Sequence, residues 1–254
     1  MKVQILGGHG GVTVGAAATS FLIDDHLLID AGSVATAIPI EQQVKIDNIL
    51  ISHSHLDHVK DLAFLCDNCF GLRPAPFQVW SHQTVVDTIK RHIFNDTLWP
   101  DFTVLPSANK PTIHFNALTP EQTVTIGRYQ VTPVKVNHPN DAMGYIVEKD
   151  NTAVLFTLDT ATTERIWEVA KGFNNIKAII TEVSFPNRMQ HVATLSDHHT
   201  PMTLKAELPK MPQNVPIILT HLKPNFREEL NREIASLGDK RLRLMEKDGL
   251  TFNF

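Results

Sequence analysis

The segment Ile51-Ser52-His53-Ser54-His55-Leu56-Asp57-His58 places four metal-competent side chains within six residues. It follows the apolar run Ile49–Ile51, which reads as the end of a buried strand. Side chains along a strand alternate between faces, so a strand cannot aim four of them at one point, whereas a tight loop leaving its end can. Neutral imidazoles with one carboxylate suit Zn²⁺ or a related divalent ion, while Ca²⁺ and Mg²⁺ ask for mostly oxygen ligands. Chemistry on such a site is metal-assisted hydrolysis; the plain alternative is a surface loop that happens to be rich in histidine.

Four side chains on one short segment need partners from elsewhere. Of the thirteen histidines, His138 follows Val134-Lys135-Val136-Asn137 and His221 follows Ile217-Ile218-Leu219-Thr220, both at expected strand exits. Asp159 follows Ala153-Val154-Leu155-Phe156-Thr157-Leu158 in the same way. Ligands at strand ends are held by the hydrogen-bond ladder of the sheet, which makes a rigid site. Any one of them alone reads as a capping or solvated residue.

The elements that must position these residues are mostly short strands in the first half. They are expected at Val3–Leu6, Ser20–Ile23, Leu27–Ile29, Asp47–Ser52 and Gln78–Ser81, with helices over 56–70 and Gln83–Phe94. More strands follow at Ile113–Phe115, Val124–Ile126, Gln130–Val136, Gly144–Glu148 and Ala153–Thr157. From residue 160 helices (Thr163–Lys171, Met202–Leu208, Phe226–Ser236) alternate with strands (Ala178–Glu182, Pro216–Thr220), and Arg241–Met245 and Leu250–Phe252 close the chain. Two mixed sheets packed face to face with helices outside would use this pattern in a single domain over 1–254.

Composition narrows the partners. Hydrophobic residues make up 43% and charged residues 20% of the 254, enough for a sizeable core and too few charges for a disordered chain. A net charge of −4 and a pI near 6.3 argue against a basic nucleic-acid surface. Cys66 and Cys69 are too few for a disulfide scaffold and lack the second pair of a zinc knuckle, so they read as small, partly buried residues. The N-terminus reaches Gly7-Gly8 before a signal-peptide core can form, and no run of about 18 apolar residues occurs. The expectation is a cytoplasmic protein without a membrane segment. Gly7-Gly8-His9-Gly10-Gly11 lacks the Lys-Ser/Thr of a phosphate-binding loop; its glycines would let the backbone pass close to the pocket, with His9 in a structural role.

With these residues in hand, the chain resembles the metallo-β-lactamase superfamily from Leu6-Gly7-Gly8 and Thr19-Ser20-Phe21-Leu22-Ile23 onward, and within it the class II cyclic-nucleotide phosphodiesterases. The second likeness rests on His53-Ser54-His55-Leu56-Asp57-His58-Val59, on Thr181-Glu182-Val183-Ser184-Phe185-Pro186-Asn187, and on Leu195–Pro201 with Thr220-His221-Leu222-Lys223-Pro224. Asp61 and Cys66-Asp67 depart from the usual pattern of that family, which bears on substrate preference.

The resemblance implies a four-layer αββα sandwich. It also implies two divalent ions, zinc with manganese or iron as alternatives, about 3.5–4 Å apart. His53, His55 and His138 would hold one, Asp57, His58 and His221 the other, and Asp159 would bridge. Asp30-Ala31-Gly32 would orient the metal loop. A metal-bridging hydroxide would attack a 3′,5′-cyclic nucleotide (cAMP or cGMP) and open it to the 5′-monophosphate. Asp57 counts with the catalytic set. His198, from His198-His199-Thr200, would protonate the leaving oxygen with Glu182 orienting it, and His199 would be a supporting or surface residue. Trp80, Trp99 and Phe185 could stack a base, although each suits a core position. A homodimer is the default for such an enzyme.

Other readings share these ligands. A tRNase Z-like nuclease would want a basic, flexible arm, and a thioesterase or lactamase would leave Glu182 and His198 without a task. A redox di-iron protein would want a carboxylate where Ser54 and His55 stand. A metal-bound protein that senses cyclic nucleotides without turnover is the non-enzyme alternative.

Overall fold

The structure, a computed structural model, describes residues 1–245 and 247–254. Its first half runs β1 (Lys2–Gly7), β2 (Ser20–Ile23), β3 (Leu27–Ile29), α1 (Val34–Ala37), α2 (Ile40–Gln43), β4 (Asn48–Leu50), α3 (Leu56–Asn68), β5 (Phe77–His82), α4 (Gln83–His92), a small hairpin of β6 (Pro106–Ser107) and β7 (Lys110–Pro111), and β8 (Ile113–Leu118). The second half runs β9 (Val124–Ile126), β10 (Tyr129–Lys135), β11 (Met143–Lys149), β12 (Thr152–Leu158), α5 (Arg165–Ala170), β13 (Ile176–Glu182), α6 (Gln190–Leu195), α7 (Pro201–Glu207), β14 (Ile217–Thr220), α8 (Arg227–Ser236), β15 (Leu242–Leu244) and β16 (Thr251–Asn253). One sheet has the order β16-β1-β2-β3-β4-β5-β8 and the other β15-β14-β13-β12-β11-β10-β9. Both are mixed: β3, β4, β5 and β8 are parallel neighbours in the first, β12 to β15 in the second.

Alternation along the strands produces the layers. Phe21, Ile23, Leu27 and Ile29 point one way and meet Tyr145, Val147, Val154 and Phe156 of the other sheet. Leu22, Leu28 and Ile49 point the other way, against Val59, Leu62, Leu65 and Cys66 of α3 and Val85 and Ile89 of α4. On the second sheet Leu155, Ile179, Ile217 and Leu219 likewise face Ile166 and Trp167 of α5, Leu204 of α7 and Leu230 of α8. Both faces of each sheet are therefore covered, which is why the strands read as continuous apolar runs. The result is the expected four-layer αββα sandwich. Among the described residues, no helix is long and apolar enough to cross a membrane.

Phe156 marks the middle layer: fully buried, its ring lies 5.5 Å from that of Phe21 across the two sheets. Phe156→Ala is expected to cost about 3–5 kcal/mol in denaturant unfolding. A loss below about 1 kcal/mol would mean that the sheets are not packed through this ring.

One expectation is corrected. The strand placed at Asp47–Ser52 pairs only over Asn48–Leu50, and the chain leaves it earlier to form the metal-competent segment. α3 starts at Leu56, as expected, so Asp57 and His58 stand on its first turn, where a carboxylate also suits the helix dipole. The short helices α1, α2 and α6 span only 4, 4 and 6 residues, too few for a helical period to show in sequence.

Candidate active site

The parallel strands direct the site residues to one edge. β10 and β12 both run antiparallel to β11, so they share a direction with β13 and β14. Their C-terminal ends deliver His138, Asp159, Glu182 and His221 toward the exit of β4, where His53 and His55 follow. The backbone at these exits is bent sharply. Asp30, Leu158 and His221 adopt φ of 55°, 57° and 60°, a left-handed conformation that costs non-glycine residues roughly 1–3 kcal/mol each. It persists because the ladders on either side fix it. At Gly32 a Cβ would stand 2.0 Å from the Asp57 carbonyl oxygen, so only glycine lets the Asp30-Ala31-Gly32 turn approach α3.

The side chains converge. Asp159 Oδ2 lies 3.2 Å from His58 Nε2 and from His221 Nε2, 3.8 Å from His53 Nε2 and 4.0 Å from His138 Nε2. Asp57 Oδ2 is 3.4 Å from His221 Nε2 and 3.9 Å from His58 Nε2, and His138 Nε2 is 3.3 Å from His55 Nδ1. The ligand atoms of His53, His55 and His138 lie within 4.8 Å of one another, and so do those of Asp57, His58 and His221.

Three atoms in this cluster, His53 Nε2, His58 Nε2 and Asp159 Oδ1, are buried without a hydrogen-bond partner. A buried polar atom left unpaired costs of order 1–3 kcal/mol, and a cation among them would satisfy all three. The donor set, imidazole nitrogens with two carboxylates, fits a divalent ion of the zinc type.

Ring orientation is fixed from behind. His58 Nδ1 donates to Asp30 Oδ2 at 2.6 Å, and His138 Nδ1 donates to the Asp197 carbonyl at 2.9 Å. Ser52 Oγ donates to Asp30 Oδ2 at 2.8 Å and lies 3.0 Å from His53 Nδ1. In each case Nε2 is left to face the pocket. Burial pushes the proton affinities of His53, His55 and His138 below the ordinary histidine range, as neutral ligands require. Burial opposes charge on His58 too, but Asp159 and Asp30 overcome it and raise its pKa well above the usual value. The carboxylates that favour a proton there equally favour a metal cation. Asp159 is held well below the carboxylate range against its burial by His221 and His58.

Beside this cluster His198 Nδ1 meets Glu182 Oε1 at 2.6 Å, with Glu182 wholly buried. Burial disfavours charge on both, yet their mutual attraction raises His198 and lowers Glu182. The His198 ring stands 5.0 Å from that of His138 and 5.1 Å from that of His221. Thr200 caps α7, with Pro201 following and Thr203 completing a capping box, and this pins the segment that carries His198.

The remaining residues fall into place differently. His199 is not at the surface: it is buried, with Nδ1 beside the Thr203 hydroxyl at 3.1 Å. His9 is buried with Nε2 3.6 Å from Asp248. Trp80 donates to Asn48 and Trp99 packs on Phe64, whereas Phe185 lies 5.9 Å from the His198 ring. Cys66 and Cys69 are both buried, and burial pushes the Cys69 thiol up to about 11 and Cys66 higher than usual, so both remain packed thiols. Sequence reasoning missed Ser52 and the Asp197 carbonyl: a serine next to a ligand histidine is a signal, but a backbone oxygen has none.

Comparison with known proteins agrees with this fold. The chain is 26% identical over 280 residues to a probable 3′,5′-cyclic-nucleotide phosphodiesterase of Yersinia pestis, covering 89% of this chain and 79% of that protein. The crystal structure of unliganded yeast PDE1 superposes with a TM-score of 0.80 at 20% identity, covering 98% of each chain. Human tRNase Z, short form, superposes with a TM-score of 0.69 at 16% identity, covering 100% of this chain and 99% of that one. The family model described as the beta-lactamase superfamily domain matches residues 26–222, and the chain belongs to that family.

Proposed function

We propose that this chain is a two-metal phosphodiesterase that opens 3′,5′-cyclic nucleotides to 5′-monophosphates, acting as one hydrolase domain over 1–254. The observation that carries the reading beyond metal-dependent hydrolysis is the buried Glu182–His198 pair at 2.6 Å against the ligand cluster. Its supports are the Glu-Val-Ser-Phe-Pro run and the name of the Yersinia relative. His53, His55 and His138 would hold one ion and Asp57, His58 and His221 the second, with Asp159 within reach of both groups. When bound, such ions supply Lewis-acid charge for the phosphate oxygens and water acidic enough to ionise near neutral pH.

The protein's own groups do the rest. His198, with Nδ1 committed to Glu182, presents Nε2 to the pocket and protonates the departing 3′-oxygen, which must leave as an alcohol. Asp57, the most open of the clustered carboxylates at 29% side-chain exposure, orients the attacking water. Phe185, beside His198, gives a face on which a base can stack.

The test is a substrate panel assayed with elemental analysis on the same preparation. It comprises cAMP, cGMP, a phosphomonoester, a structured RNA, a thioester and a lactam. Cyclic nucleotides are expected to yield 5′-monophosphates, with about two ions per chain. Exhaustive chelation is expected to abolish turnover and added Zn²⁺ or Mn²⁺ to restore it. Activity that survives chelation would sink the proposal, and salt-sensitive cleavage of RNA alone would move it to a nuclease.

A further inference from the structure

We propose that Ser184 is a positioning residue whose single hydroxyl ties the metal-holding His221 to the proton-donating Glu182–His198 pair. The inference rests on the function proposed above. Ser184 is fully buried. Its Oγ lies 2.7 Å from Glu182 Oε2, 2.8 Å from His221 Nδ1 and 3.1 Å from the His221 carbonyl oxygen. A hydroxyl has one proton to give, and the carboxylate is both the nearest and the strongest acceptor. Ser184 therefore donates to Glu182, and its lone pair must accept from His221 Nδ1–H.

Two consequences follow for the rings. His221 is fixed in the form whose Nε2 is bare and faces Asp159 and Asp57 at 3.2 and 3.4 Å. His198 is oriented through the other carboxylate oxygen, which takes its Nδ1–H and leaves Nε2 to carry the proton it donates. Ser184 cannot swing away: its N–H donates to the His199 carbonyl, and its own carbonyl accepts from Lys223 N–H.

The arrangement has a twin on the first sheet. There Ser52 Oγ donates to Asp30 Oδ2 and accepts from His53 Nδ1, while the same carboxylate oxygen takes His58 Nδ1–H. Each relay consists of one carboxylate, one serine and two histidines. They differ in what they join. The Ser52 relay joins two metal-holding rings; the Ser184 relay crosses from a metal-holding ring to the proton donor.

That difference supplies the experiment. Ser184→Ala, Ser184→Thr and Ser52→Ala are compared with wild type in three measurements. These are metal retention against a competing chelator, rates on a diester with an alkoxide leaving group and on one with 4-nitrophenolate, and the imidazole N–H signals of the zinc-loaded protein by NMR. Both alanine variants are expected to hold metal about tenfold more weakly. Only Ser184→Ala should lower the ratio of alkoxide to nitrophenolate rates, by about tenfold, because nitrophenolate leaves without a proton. Ser184→Thr, which keeps the hydroxyl, should restore the ratio, and the His221 Nδ1–H signal should vanish in Ser184→Ala alone. An unchanged ratio in Ser184→Ala, or an equal fall in Ser52→Ala, would overturn the proposal. If wild type cleaves neither diester, the phosphodiesterase reading fails by itself. Metal retention and the His221 signal then decide the relay, and wild-type values for both in Ser184→Ala would refute it.

Discussion

Asp159→Ala is expected to lose bound metal and turnover together while keeping its fold. Among the described residues, Asp159 Oδ2 is the one clustered carboxylate oxygen within 4.0 Å of imidazole nitrogens from both proposed triads. Removing one partner from a buried charge cluster costs about 3–5 kcal/mol, which corresponds to a loss on the order of 10³-fold in metal affinity. Asp159→Asn separates charge from shape: it keeps the side chain's size and removes the negative charge, so it should behave almost as badly as Ala. The check is elemental analysis after dialysis, with circular dichroism to establish the fold. A variant that retains its full metal content would show that Asp159 is a buried structural acid and that the ions, if bound, sit elsewhere.

Sequence carried the site further than it carried the topology, and the reason is physical. An apolar run ending in His or Asp is a local pattern, so His138, Asp159 and His221 could be picked out residue by residue. The fold then brings them within contact of the His53–His58 segment. Strand order is not local: β16 returns to pair with β1 through Val3 and Phe252, and nothing in either strand announces the other. The layers were legible for a simpler reason, since strands buried on both faces and helices apolar on one must stack in this way.

What stayed hidden were contacts made through common atoms. Asp197 orients His138 through its carbonyl, and Ser52 and Ser184 act through a hydroxyl that any turn serine possesses. The left-handed backbone at Leu158 and His221 is likewise invisible in sequence, because Leu and His are not residues that advertise it. α3 starts at Leu56, where the helix was expected, although His55 occupies the cap position without a side-chain hydrogen bond, its imidazole being turned toward His138 instead.

His198→Ala is expected to lower turnover of a cyclic nucleotide by about 10²–10⁴-fold while leaving metal content unchanged. Its ring contacts His138 and His221 at 5.0 and 5.1 Å, but its firm bond is to Glu182, so its removal takes no nitrogen from either proposed triad. The loss should depend on the leaving group. A nucleoside 3′-alkoxide needs a proton to depart, whereas 4-nitrophenolate does not, so the variant should come much closer to wild type on the nitrophenyl diester. Glu182→Gln gives the intermediate case. The amide oxygen can still accept from His198 Nδ1, but the charge that stabilises the imidazolium is gone, and the penalty should fall between those of wild type and His198→Ala. A uniform loss on both leaving groups would assign His198 to substrate placement rather than proton transfer. Undiminished turnover of cyclic nucleotide in His198→Ala would remove the pair from the chemistry altogether and leave only the metal cluster to account for hydrolysis.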